Sequence, residues 1–89
     1  MNRRPLKGSY STIADGRLDR LLEKDPPLYN DVLTVCELIF NDRSRAQSMS
    51  AAIRTESGVV FRLAVPGRSP YKVFWTSTGP CVEAVFPHT

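Results

Sequence analysis

The chain has 89 residues, of which 42% are hydrophobic, and carries a formal net charge of +3 with a pI near 9.2. That length allows one core and no second domain, since domains commonly run to about 100–150 residues, and the apolar content is too high for a disordered chain. The longest apolar runs, around residues 32–40, fall well short of the roughly 18 residues needed to span a bilayer. The N-terminus is basic without a following apolar stretch, so a cytoplasmic protein with no membrane association is expected. Two cysteines and one histidine make no plausible zinc site, and no metal or cofactor is indicated. The mild basicity suits an RNA, DNA or acidic-protein partner without selecting one.

In chain order, residues 1–8 form a basic arm carrying Arg3, Arg4 and Lys7. It reads as a frayed terminus, an electrostatic arm, or the beginning of a short strand over residues 6–10. A first helix starts near Thr12, where Thr12 and Asp15 have capping-box spacing. Ala14, Leu18, Leu21 and Leu22 give it one apolar stripe. Asp25-Pro26-Pro27 ends that helix and starts a second over residues 27–41, because proline suits a first turn and Asp25 is a good N-cap. Leu28, Val32, Val35, Cys36, Ile39 and Phe40 are its expected inward face. The polar stretch 41–50 reads as a connection with one helical turn.

From Ala51 the period changes from 3.6 to 2. Residues 59–65, 71–76 and 81–86 alternate as strands, with turns at Glu56-Ser57-Gly58, at 66–70 and at Thr78-Gly79, and 51–55 is a weaker strand. Pairing Leu63 with Val73, Phe61 with Trp75, Trp75 with Val82, Val73 with Ala84 and Tyr71 with Phe86 keeps the large apolar groups on one side. The expected fold is therefore α+β, a helical hairpin packed on an antiparallel sheet of three or four strands. The same register leaves an open face with one row reading Ala52, Arg62, Phe74, Glu83 and the next Ala64, Lys72, Val85. Arg54 adds a cation near one end. Cations beside an exposed phenylalanine suit single-stranded nucleic acid; a solvated face with an Arg62–Glu83 ion pair is the plainer reading.

Three segments carry a resemblance: Phe61-Arg62-Leu63-Ala64-Val65-Pro66-Gly67, Tyr71-Lys72-Val73-Phe74-Trp75 and Val82-Glu83-Ala84-Val85-Phe86-Pro87-His88. Together they resemble the C-terminal half of RelE/ParE-type toxins, where an R-L-x-V-G strand precedes a Y-R-V-hydrophobic-Y strand and a last strand ending near histidine. The helical hairpin also sits where that family places two helices. The resemblance implies a toxin neutralised by an antitoxin, either a ribosome-dependent, metal-independent mRNA endoribonuclease or a gyrase inhibitor. Carried over, Arg62 and Lys72 would hold the phosphate and His88 would be the acid or base; Glu83 is a weaker candidate base outside the family motif. Lys72 stands where the family has arginine, Ala64 where many members have a second cation, and no strand before the first helix is evident.

The alternative is a non-catalytic interaction module, such as an inactive toxin relative, an immunity protein or a phage accessory protein. It would bind a protein through the open face, where exposed Phe74 and Val60 call for a partner or a homodimer. Nothing points to a small-molecule enzyme: there is no phosphate-binding glycine loop and no nucleophile elbow.

Overall fold

The computed structural model describes residues 9–88, so the basic arm expected over residues 1–8 lies outside the described residues. The elements are β1 (Ser9–Tyr10), α1 (Thr12–Lys24), α2 (Pro26–Asn41), α3 (Arg43–Met49), β2 (Ala51–Thr55), β3 (Gly58–Ala64), β4 (Tyr71–Thr76) and β5 (Cys81–Pro87). The strands form one five-stranded sheet in the order β1-β5-β4-β3-β2, with β1 parallel to β5 and the other pairs antiparallel. The fold is α+β, but the sheet is mixed rather than purely antiparallel. The added strand is β1, two residues long, held where Ser11 N donates to Val82 O at 2.9 Å.

Ser11, not Thr12, caps α1. Its backbone is extended and its Oγ accepts from Ala14 N at 3.0 Å. The same hydroxyl donates to Glu83 O at 2.5 Å, so one side chain ties the helix start to β5. Asp25 then works in both directions. Its N–H donates to Leu21 O at 2.8 Å, closing α1, while its Oδ1 accepts from Leu28 N at 3.3 Å, opening α2. Asp42 repeats the device between α2 and α3, with Leu38 O as acceptor and Arg45 N as donor. Polar α3 is a two-turn helix rather than the single turn expected, because this cap starts it and Ala46, fully buried, anchors it.

The helices cover one face of the sheet. α2 runs between α1 and α3 and buries Tyr29 and Leu33 in addition to the expected stripe. α1 has a narrower contact and leaves Leu22 39% exposed. Trp75 is wholly buried, its ring 5.0 Å from that of Phe61, and its Nε1 donates to Ser50 Oγ at 3.2 Å. A buried indole N–H left unpaired would cost about 1–3 kcal/mol, so this bond makes the central position of Trp75 affordable.

The register of β3 against β4 is as the alternation implies: Phe61 opposes Trp75 and Leu63 opposes Val73. Trp75 likewise opposes Val82, but the next pairs are Phe74 with Ala84 and Val73 with Val85. Glu83 is therefore the extra residue of a β-bulge, which inverts the alternation beyond it. Val85 points into the core at 1% exposure, and Ala84 and Phe86 take the open face, reversing the expected assignment. β2 also differs by one residue. Its turn to β3 is Glu56-Ser57 alone, so Thr55 opposes Gly58 and Ala51, not Ala52, opposes Arg62. Gly58 takes φ +132° to close that turn, a conformation L side chains rarely adopt.

The bulge makes a measurable ranking. Val85→Ala should cost about 2 kcal/mol in urea denaturation, whereas Ala84→Ser should stay within about 0.5 kcal/mol. The reverse order would restore the regular register.

Candidate functional site on the open sheet face

The open face carries one row of Ala51, Arg62, Phe74 and Ala84, flanked by Ala64, Lys72 and Phe86. Arg62 lies between Ala51 on β2 and Phe74 on β4, with Ala64 next on its own strand and face. Arg62 is half-buried and has no hydrogen-bond or ion-pair partner among the described residues. Lys72 lies diagonal to it, opposite Ala64 and Phe86, and its Nζ donates to Pro70 O at 3.2 Å. That carbonyl also accepts from His88 N at 2.9 Å, which fastens the end of β5 to the turn before β4.

Phe74 is not the exposed platform that strict alternation implies. It is only 9% exposed, because Phe86 stacks on it at 4.7 Å with rings 15° apart. His88 meets Phe74 edge-on at 5.5 Å and Phe86 at 6.1 Å. The three rings make a small cluster on the face away from the helices, and Phe86 is its outer member. The histidine Nδ1 is buried there without a hydrogen-bond partner among the described residues.

Glu83 stands at the other end of the face. Its Oε2 accepts from Thr76 Oγ1 at 3.3 Å, and no Arg62–Glu83 ion pair forms among the described residues. Arg54 is not part of this site. It opposes Val59, on the side of the sheet that carries Phe61, because the shorter turn shifts β2 by one residue. The structure thus brings Arg62, Lys72, Phe74 and His88 together, keeps Glu83 at the margin and moves Arg54 to the opposite face. Phe86 is the site residue that sequence reasoning missed, since the bulge that turns it outward leaves no mark in the alternation.

Beside Glu83, burial pushes the Cys81 thiol above its ordinary value; a hydrogen bond with Ser9 opposes the shift and the Glu83 carboxyl adds to it. A concavity of about 280 Å³ lies between the helices and the end of β3, lined by Val35, Leu38, Met49, Leu63, Ala64 and Pro66 among others. Among the described residues no group of three or more His, Cys, Asp or Glu could hold a metal ion, and no helix is long and apolar enough to cross a membrane. The one described ion pair, Arg68 Nε to Asp31 Oδ2 at 2.6 Å, ties the 66–70 turn to α2 rather than serving the site.

Comparison with family models, with curated proteins and with solved structures finds no match to the chain in any of the three.

Two measurements check this geometry. A double-mutant cycle on Phe74→Ala and Phe86→Ala should return a coupling of about 1 kcal/mol, as expected for stacked rings; strict additivity would mean the rings do not touch. Alkylation of Cys81 at neutral pH should run slower than that of a free peptide thiol and accelerate at higher pH, because the raised pKa leaves less thiolate. A rate at or above the peptide's would contradict the burial.

Proposed function

We propose that this protein is a RelE/ParE-like toxin of a toxin–antitoxin pair, acting in the cytoplasm on ribosome-bound mRNA as a metal-independent endoribonuclease. The observation that carries the reading is the pair of cations Arg62 and Lys72, free of carboxylate partners among the described residues and sharing one sheet face with the only histidine. Cleavage of RNA at the 2′-hydroxyl needs cations where phosphorane charge develops and a side chain that can give or take a proton. Arg62 and Lys72 fill the first role and His88 the second, while Phe86 offers a ring edge beside the phosphate site. β1 also supports the reading, since it places a strand ahead of the helical hairpin, as the family does.

A second reading rests on His88 itself. Its ring is packed against two phenylalanines, with Nδ1 buried and unpaired among the described residues, a structural use of histidine that fits a non-catalytic module. Such a module would present Arg62, Lys72 and Phe86 to an acidic protein or to a second copy of the chain.

Induced expression in a bacterial host separates the two. Growth arrest by wild type, relieved by Arg62→Ala and by His88→Ala at unchanged soluble yield, is the outcome expected of the nuclease. Relief by Arg62→Ala alone would leave a toxin without histidine chemistry. Unimpaired growth with abundant soluble protein would leave the non-catalytic module standing.

A further inference from the structure

Independently of that reading, we propose that α1 presents a docking surface for an acidic, amphipathic segment of a protein partner. The surface is a stripe on the helix. Ile13, Gly16, Arg17, Arg20 and Lys24 follow at i, i+3, i+4, i+7 and i+11, and at about 100° per residue they fall within a sector of roughly 100°. All five are exposed. The core-facing residues Ala14, Leu18 and Leu21 lie to one side of this sector, and Asp15, Asp19 and Glu23 lie beyond its other edge.

Two features make the stripe more than a solvated helix face. First, it has a depression. Beyond the helix's own backbone and Gly16's chain neighbours, no described atom lies within 4 Å of where a Cβ on Gly16 would stand, and a hollow of about 360 Å³ is lined by Thr12, Ile13, Gly16, Arg17 and Arg20. Ile13 stands at its edge 74% exposed, the most exposed of the large hydrophobic residues described. A glycine inside a helix costs about 1 kcal/mol against alanine, and here no packing contact among the described residues requires it. Second, Arg17, Arg20 and Lys24 have no carboxylate partner among the described residues, although acidic residues sit on the same helix. Three cations without a carboxylate partner among the described residues, beside an apolar hollow, are complementary to a segment with one aliphatic side chain flanked by carboxylates.

That chemistry selects among occupants. A nucleic-acid backbone would use the cations but leave Ile13 and the hollow unmatched. A second copy of the chain, related by a two-fold axis perpendicular to the helix at the middle of the stripe, would set Arg17 against the other copy's Arg20, and like charges would meet at the centre. An acidic amphipathic peptide satisfies all five residues.

The test pans a random-peptide library displayed on phage against the full folded chain. The selected peptides should share an aliphatic residue with Asp or Glu on either side. Measured by fluorescence anisotropy, their binding should weaken by about tenfold or more in Arg20→Glu and in Gly16→Leu, and remain unchanged in Arg45→Ala. Gly16→Leu should raise the melting temperature, since leucine is the better helix former, so its loss of binding cannot be loss of fold. Peptides without that pattern, or peptides that bind Gly16→Leu as tightly as wild type, would overturn the proposal. Two other outcomes would overturn it as well: a single-stranded RNA probe losing affinity in Arg20→Glu while the peptides do not, or a dimer in sedimentation that the same change dissolves.

Discussion

The bulge at Glu83 is the constraint on which the rest of the structure depends. In a regular strand, residues three apart face opposite ways, yet Val82 and Val85 are both buried under the helices at 0% and 1% exposure. One unpaired residue resolves the conflict, and its consequences run in two directions. Toward the helices, the carbonyls of Val82 and Glu83 are free to accept from Ser11, which anchors β1 and the start of α1. Toward the open face, Phe86 and His88 are carried over to cover Phe74. Without the bulge, the face would show Val85 and lose its aromatic cluster.

The second support is the indole of Trp75. It fills the middle of the core at no exposed surface, and its one polar atom is answered by Ser50, the residue that ends α3. Ser50 Oγ in turn donates to Ala46 O at 2.7 Å, so the short polar helix, the core and the entry to β2 share one chain of hydrogen bonds. This explains how a helix with a single buried side chain holds its place: it is fixed from below by Trp75 rather than by an apolar face of its own.

Much of this was legible in the sequence where two signals agreed. Both long helices carry a 3.6-residue stripe and an aspartate cap, and the pairing of β3 with β4 is pinned by two matching apolar sets, so Arg62 and Lys72 could be placed on one face. The misses have separate physical causes. The segment Cys81-Val82-Glu83-Ala84-Val85-Phe86 places apolar residues on both phases, so either register looks acceptable until the core chooses. Counting Gly58 as part of the turn shifted β2 and put Arg54 on the wrong side. Tyr29 and Leu33 are buried because α2 has neighbours on both flanks and the sheet beneath, a width that one helix's periodicity does not reveal. β1 lies within residues 6–10, where a short strand is one of three readings; at two residues, held by hydrogen bonds to β5, it has too little pattern to select that reading.

The paired aspartate corners have a different kind of consequence. Asp25 and Asp42 share nearly the same backbone angles, φ −149° and ψ 72° against φ −143° and ψ 70°, and each is the entire connection between two helices. A joint of one residue has no slack: the direction of each helix is set by the one before it, as links in a folding ruler are set by their pins. Any insertion at either corner would rotate everything that follows and unseat the cap on both sides at once. The turns of the sheet, not these corners, are where added length is accommodated, and the three helices form one jointed unit laid over the sheet.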